Sequence, residues 1–354
     1  MRKVCKVTLN GNAFLAHCGD LLLDSAILNG VELQHDCRSG ICGSCRVRLV
    51  EGQVFGGTEE GSDTIYACQA RIVSDLKLVN EPVPDTVSLP ARVAELTRLA
   101  SDVIGVDLEL KRPLNYLPGQ YCKLQFRGLP ERCYSPTYPL EGPPDRHRLQ
   151  FHIRRFPDGA VSSALGQHIR VGHRVRLTGP FGSAHFRPKH PGRIVLAASG
   201  TGFAPMWSIA AAAITELPRR ELVFVVAARK IKSFYMHAAL CRLALFPNVT
   251  IIPMVSEPQD VSPALRSGQL LDHLPPFIRS DFVYAAGAPM MTEAIARLAR
   301  AAGAKCYTDP FIANAAPAEH SNLMVRVVDW LDGPRKKTVR GRYAKAPERA
   351  SIAG

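Results

Sequence analysis

The chain has 354 residues and a mass of 38.7 kDa, with 46% hydrophobic and 21% charged residues. This composition excludes a single small module and a disordered chain, and it is typical of a soluble protein of two or three domains. The formal net charge is +13. Residues 1–90 nevertheless hold 8 basic and 11 acidic side chains, a net charge of −3, so the positive excess lies in the rest of the chain.

Ten cysteines would suggest disulfides in a secreted protein, but Met1–Phe14 lacks the apolar core of a secretion signal. We therefore expect a reducing, cytoplasmic setting in which clustered cysteines bind metal. The longest uncharged run, 194–215, is interrupted by Gly200, Gly202 and Pro205. Because these residues suit a turn better than a membrane helix, no membrane association is expected.

The first predicted domain covers residues 1–84. Strand-like stretches at Val4–Leu9 and Cys45–Val50 and an apolar helix near Leu21–Leu28 predict a small sheet with one packed helix. An extended linker is predicted at 85–90, in a stretch interrupted by Pro82, Pro84 and Pro90.

The second predicted domain, 91–190, is rich in turns and short strands, which favours an antiparallel barrel. Its strand candidates are Asp107–Leu110, Tyr121–Phe126, Arg148–Arg154 and Arg174–Leu177.

In the third predicted domain, 191–311, apolar strands alternate with helices, which predicts a parallel α/β sheet. The candidate elements are Ile194–Ala198, Pro205–Glu216, Leu222–Ala227, Thr250–Val255 and Phe282–Ala285. Residues 312–354 form a basic tail, interpreted either as a solvated terminus or as a docking arm for an acidic partner.

The strongest motif is a cysteine pattern in the first domain, C-x4-C-x2-C with a fourth cysteine further on, the spacing of a plant-type 2Fe-2S site. Its members are Cys37, Cys42, Cys45 and Cys68. Gly40 and Gly43 let the loop curl around a cluster so that its amides approach the sulfurs. A structural zinc site and inert core cysteines are the alternatives, although the usual C-x2-C pairs of a zinc site do not match the step from Cys37 to Cys42. The nine residues from Cys37 to Cys45 resemble a plant-type ferredoxin domain, which implies a β-grasp fold and single-electron transfer.

The second domain carries three short motifs in a fixed order: Arg132-Cys133-Tyr134-Ser135, then His152-Ile153-Arg154, then Gly159 with Ser162. Arg132 offers a bidentate group for a pyrophosphate, Tyr134 a ring for stacking, and Ser135 a hydroxyl for a ring nitrogen or carbonyl. Gly159 allows close backbone approach, and Ser162 is expected to begin a helix whose amides face phosphates. A simple capped surface helix explains Ser162 as well.

In the third domain a glycine-rich turn, Gly200-Thr201-Gly202, follows the first strand and precedes a helix, the context of a diphosphate site. A second turn at Gly287 follows a later strand at the same edge of the sheet. A purely structural strand-to-helix turn is the alternative reading.

Together these motifs resemble the ferredoxin-NADP reductase superfamily with an N-terminal 2Fe-2S domain, closest to reductase components of aromatic-ring-hydroxylating dioxygenases of the naphthalene dioxygenase type. The resemblance implies a multidomain α+β and α/β fold: a β-grasp 2Fe-2S domain, an antiparallel β-barrel for FAD and a parallel α/β domain for NAD(P). It implies catalytic roles for Tyr134 and Ser135 at the flavin, with Phe311 covering it. The chain departs from the family at Ala286, where a cysteine is usual, which predicts slower hydride transfer.

The implied cofactors are a 2Fe-2S cluster, FAD and NADH, with NADPH also used, and the implied acceptor is a Rieske-type ferredoxin or a terminal oxygenase. Arg229 follows the second strand of the third domain and no acidic residue is expected close by at this edge of the sheet, so it is a candidate for the NADPH 2′-phosphate. A reductase for a soluble diiron monooxygenase or for a deoxysugar dehydratase shares this domain order. A redox sensor or nucleic-acid-binding protein is the alternative of a different class, but the chain has no DNA-binding motif.

Overall fold

The computed structural model describes residues 3–59, 62–257 and 265–312. Up to Ile312 they belong to one compact unit. The predicted basic tail lies outside the described residues after Ile312. No helix in the described ranges is long and apolar enough to span a membrane. The cytoplasmic location stays a prediction.

The first domain is a five-stranded sheet in the order β2-β1-β7-β3-β5, with helix α1 packed on it. Only the β1–β7 pair is parallel. Alternate residues of the first strand are buried, so its apolar side chains face the core. The elements are β1 (Val4–Leu9), β2 (Asn12–His17), α1 (Leu22–Leu28), β3 (Arg46–Glu51), β4 (Val54–Phe55), β5 (Thr64–Tyr66), β6 (Arg71–Ile72) and β7 (Leu76–Val79), of which β4 and β6 form a separate pair.

The second domain is a seven-stranded antiparallel sheet in the order β11-β10-β14-β8-β9-β13-β12, curled around one apolar core. Its strands are β8 (Val87–Arg98), β9 (Val103–Leu110), β10 (Tyr121–Phe126), β11 (Arg132–Tyr134), β12 (Pro136–Thr137), β13 (Arg148–Arg154) and β14 (Arg174–Phe181).

The third domain is a six-stranded parallel sheet in the order β18-β17-β16-β15-β19-β20. Chain order reverses between β15 and β19, and this is the switch point where ligands of open α/β sheets bind. The elements are β15 (Ile194–Ser199), α2 (Phe203–Glu216), β16 (Leu222–Ala228), α3 (His237–Leu243), β17 (Val249–Val255), β18 (Arg266–Ser267), β19 (Phe282–Gly287), α4 (Pro289–Ala301) and β20 (Lys305–Pro310). The predicted fold class is confirmed.

Two local expectations are wrong. Strand β8 begins at Val87 and contains Pro90, which was expected to interrupt any regular structure; the fixed φ of proline is compatible with a strand, and Pro90 pairs with Arg176 of β14. Ser162 does not begin a helix, because it lies in a run of turns at 160–164. Its hydroxyl instead accepts a hydrogen bond from the Phe156 amide at 3.1 Å, which stabilises the turn.

Candidate functional site

The cysteine loop lies between α1 and β3 and curls as the spacing predicts. Gly43 has φ +70°, and a Cβ there would lie 2.3 Å from the Ser183 hydroxyl. Only glycine fits this position, because the backbone is left-handed and the flavin barrel approaches it closely. The loop is therefore shaped by a second domain as well as by its own sequence.

The fold brings Cys42 to Cys37 and Cys68 to Cys45. The Cys42 amide donates to the Cys37 sulfur at 3.4 Å, and the amide of Ala67, the residue before Cys68, donates to the Cys45 carbonyl at 3.1 Å. Two irons need four thiolate ligands, so the residues fit a 2Fe-2S cluster. In the described part of the chain, no three His, Cys, Asp or Glu side chains converge to hold a single metal ion.

Backbone amides also point at the first pair. The amides of Ser39 and Cys42 each donate to the Cys37 sulfur at 3.4 Å. The Cys42 thiol and these donors lower the pKa of Cys37, although its partial burial acts the other way. Thiolate is the form that binds iron, and amide hydrogen bonds at a sulfur favour that form.

The flavin motif occupies strand β11 and the residue after it. Tyr134 packs on the barrel core, whereas the half-buried Arg132 donates to the neighbouring Glu131 carbonyl at 2.8 Å. A guanidinium has five N–H groups, so one that donates to a carbonyl can also bind a pyrophosphate. Gly159 lies in the turn tied by Ser162, where an added Cβ would lie 2.2 Å from the Ser162 hydroxyl.

Ser135 contacts a residue that sequence reasoning missed. Its hydroxyl donates to Asp309 Oδ2 at 3.0 Å. Burial raises the pKa of Asp309 to about 6, although the hydrogen bond from Ser135 acts in the opposite direction. The two residues are 174 positions apart, so only the tertiary fold brings them together. The pair joins the flavin motif to β20 and can hold a proton.

The His152-Ile153-Arg154 motif ends strand β13 at the contact between barrel and nucleotide domain. His152 is buried beside Tyr235, whose hydroxyl lies 3.3 Å from Nδ1, and burial lowers its pKa to about 3, so the ring is neutral. Ile153 belongs to the barrel core. Arg154 reaches out of the barrel and ends about 3 Å from the position a Cβ of Gly200 would take. The structure thus brings a flavin-domain cation to the glycine-rich turn.

The two glycine turns meet at the switch point. A Cβ on Gly202 would lie 2.2 Å from the Ala286 carbonyl oxygen, and Gly287, with φ +128°, lies against Ser199. Gly200, Thr201 and Gly202 form a 3-10 turn leading into α2, whose first amides face the same edge. Phe311 lies here too, its amide donating to the Gly287 carbonyl at 2.7 Å.

The surroundings of Arg229 differ from the expectation. Its side chain is largely exposed, but Glu257, after the neighbouring strand β17, forms an ion pair with it at 3.8 Å and with Lys230 at 3.0 Å. The expectation of no nearby acidic residue is therefore wrong in space. The carboxyl ends of adjacent parallel strands share one edge, so the end of β17 was the place to look.

All three domains meet at Tyr307, a contact that no motif indicated. The Arg187 guanidinium lies 3.6 Å from the ring centroid and the Arg46 guanidinium 4.9 Å from it. Arg46 follows the ligand Cys45 directly, and Arg187 pairs with Glu81 at 2.6 Å. Cation–π contacts thus join the cluster domain to the strand that carries Asp309.

Three family models match in the order of the three domains. The 2Fe-2S iron-sulfur cluster binding domain matches residues 7–73, the oxidoreductase FAD-binding domain 90–186 and the oxidoreductase NAD-binding domain 196–297. The chain is 30% identical over 312 residues to the naphthalene 1,2-dioxygenase ferredoxin–NAD(P)+ reductase component of Pseudomonas putida, covering 83% of this chain and 94% of that protein. The chain belongs to the ferredoxin-NADP reductase superfamily. This reductase is also 32% identical over 296 residues to a Ralstonia reductase component of naphthalene 1,2-dioxygenase and salicylate 5-hydroxylase systems, with 79% and 89% of the two chains covered.

A solved structure supports the same assignment. The Amycolatopsis cytochrome P450 reductase superposes with a TM-score of 0.64 at 28% identity, covering 88% of this chain and all of that one. The predictions of an oxidoreductase with 2Fe-2S, FAD and NAD-binding domains are confirmed. It performs NAD(P)H-driven electron transfer.

Proposed function

We propose that this reductase delivers electrons from NADH to a multicomponent aromatic-ring-hydroxylating oxygenase, through a Rieske-type ferredoxin or directly to the terminal oxygenase. The observation that carries the proposal is the cysteine loop packed on the flavin barrel within one compact unit. The similarity to reductase components of naphthalene dioxygenase systems supports the choice of acceptor.

The residues at the flavin motif have two roles: some would bind FAD, and others would hold a proton beside its ring. When bound, FAD supplies the change from a two-electron hydride donor to one-electron transfer, which neither nicotinamide nor cluster makes alone. Arg132 would hold its pyrophosphate, Tyr134 would stack on the ring, and Gly159 and Ser162 would line the phosphates. The pair of Ser135 and Asp309 would hold a proton beside the ring, since their oxygens lie 3.0 Å apart.

The nucleotide edge is built for a diphosphate and a nicotinamide. Gly200, Thr201 and Gly202 would present their amides to the pyrophosphate, and Arg154 would supply the charge that the turn itself lacks. Gly287 lets the second turn pack directly against Ser199 at the end of the first strand, and Phe311, whose amide donates to the Gly287 carbonyl, would cover the flavin ring until nicotinamide takes its place. Glu257 forms ion pairs with Arg229 and Lys230, so their charge is less available to a 2′-phosphate. This supports NADH as the preferred donor, with NADPH also used.

Reconstitution with candidate acceptors tests the proposal. Purified reductase with cluster and FAD loaded is mixed with NADH and with a Rieske ferredoxin–oxygenase pair, a diiron monooxygenase or a deoxysugar dehydratase in parallel. We expect substrate hydroxylation coupled to NADH oxidation with the Rieske pair. Turnover with one of the other acceptors alone would contradict the proposed partner. DNA binding without NADH-driven dye reduction would favour the sensor alternative.

A further inference from the structure

Strand β10 of the flavin barrel has an outer face that is covered. Its even-numbered residues, Cys122 and Leu124 among them, are fully buried in the barrel core. The alternation of a strand therefore turns Tyr121 and Lys123 outward. Yet Tyr121 is 4% exposed and the Lys123 side chain only 25%. Phe181 of the neighbouring strand β14 covers part of this face, with its ring centroid 5.7 Å from that of Tyr121, and a residue from outside the barrel binds the polar ends of both side chains.

The residue from outside the barrel is Asp36, whose carboxylate binds the polar ends of Tyr121 and Lys123. Tyr121 donates its hydroxyl hydrogen to Asp36 Oδ2 at 2.5 Å, and the Lys123 ammonium pairs with Oδ1. The Asp36 side chain is 11% exposed, so both its oxygens are paired away from bulk water. The Lys123 ammonium also lies 5.1 Å from the Phe181 ring centroid. A carboxylate so enclosed is held far more tightly than a surface ion pair.

The position of this contact relates it to electron transfer. Asp36 is the residue directly before the ligand Cys37. On the other side, Lys123 pairs with Cys133 across the β10–β11 ladder, and Cys122 pairs with Tyr134 of the flavin motif. The carboxylate therefore ties the start of the cluster loop to the strand next to the flavin motif.

A second contact orients the far side of the same loop. The Gly182 amide donates to the Ser44 hydroxyl at 3.0 Å, and that hydroxyl lies 3.5 Å from the Cys42 sulfur. Between these two anchored points, Cys37 stays exposed and Ile41 is 48% exposed. One side of the loop thus faces the flavin barrel and the other is open to an acceptor.

We propose that Asp36, Tyr121 and Lys123 form a latch that holds the cluster loop on the flavin barrel, and that electrons pass from flavin to cluster in this docked arrangement. The three are positioning residues, since none ligates iron or belongs to the flavin motif. The inference rests on the proposed reductase function. In each transfer one electron leaves the reduced flavin and reduces one ferric ion of the cluster, and NADH supplies the electrons.

The test uses Tyr121→Phe and Lys123→Met, which leave the cluster loop unchanged. Matched controls are Tyr116→Phe, a buried tyrosine of the same barrel paired edge-on with Tyr138, and Lys77→Met, whose ion pair with Glu51 lies within the first domain. Iron and flavin contents are measured for every variant. Anaerobic rapid mixing with NADH then follows flavin bleaching and cluster bleaching separately.

We expect unchanged flavin reduction in both latch variants and cluster reduction at least about tenfold slower, the effect of losing one hydrogen bond to a charged group on the docking equilibrium. Amide hydrogen exchange over residues 34–46 should accelerate by a similar factor, while both controls match the natural protein. Cluster reduction that is unchanged or faster, with unchanged exchange, would overturn the latch. If NADH fails to reduce the flavin even in the natural protein, the proposed function fails, and hydrogen exchange alone still decides whether the latch exists.

Discussion

The partly buried Asp309 makes the stability of this reductase depend on pH. Burial raises its pKa from 3.8 to about 6, and the hydrogen bond from Ser135 offsets part of that rise. The folded chain therefore keeps a proton at a pH where the unfolded chain has lost it. Between about pH 4 and 6 the free energy of unfolding should fall as pH rises, by at most about 3 kcal/mol in total. Above this window the residue adds no further pH dependence.

The substitution Asp309→Asn isolates this contribution. Asparagine keeps an oxygen that accepts the Ser135 hydrogen bond, but it has no proton to lose in this range. We expect the free energy of unfolding of the variant, relative to the natural protein, to rise by up to about 3 kcal/mol from pH 4 to pH 7. Urea titrations of the flavin-loaded proteins at successive pH values measure it.

The control is Asp272→Asn, the same change at an exposed position of the same domain, which should follow the natural protein. If the Asp309→Asn curve ran parallel to that of the natural protein between pH 4 and 7, Asp309 would have an ordinary pKa. The proton-holding role of its pair with Ser135 would then be refuted.

Three other substitutions test separate parts of the site. Cys68→Ser should abolish cluster loading and cytochrome c reduction but leave NADH-driven ferricyanide reduction intact; loss of both activities would mean that the flavin site depends on the cluster. Glu257→Gln removes the carboxylate that pairs with Arg229 and Lys230 and should raise kcat/KM for NADPH up to about fivefold; an unchanged value would show that Arg229 does not bind the 2′-phosphate. Arg154→Leu should raise KM for NADH by about tenfold or more with flavin content unchanged, and an unaltered KM would contradict its pyrophosphate role.

Local patterns in the sequence were enough to predict the architecture of each of the three domains. Apolar and polar residues alternate along β1, which is typical of a sheet with one buried face. Strand β15 is apolar from Ile194 to Ala198 and leads into a glycine turn, which is typical of a parallel sheet buried on both faces. The cysteine spacing predicted the cluster because its ligands come mostly from one loop. Such signals lie within about ten residues of chain and need no tertiary information.

What the sequence could not predict lies between segments that are distant in the chain. Asp309 meets Ser135, and Asp36 meets Lys123, only because whole domains pack together. The helix expected at Ser162 failed for a local reason: its hydroxyl is used by the Phe156 amide, which closes a turn. A serine close to a glycine can begin a helix or close a turn, and the sequence alone does not distinguish the two.

An anaerobic titration of the loaded reductase with NADH addresses the central claim most directly. Stoichiometric NADH should bleach the flavin and also reduce the cluster, seen as the electron paramagnetic resonance signal of a reduced 2Fe-2S centre. A flavin that bleaches while the cluster stays oxidised, or cofactors that respond to dithionite but not to NADH, would contradict the account.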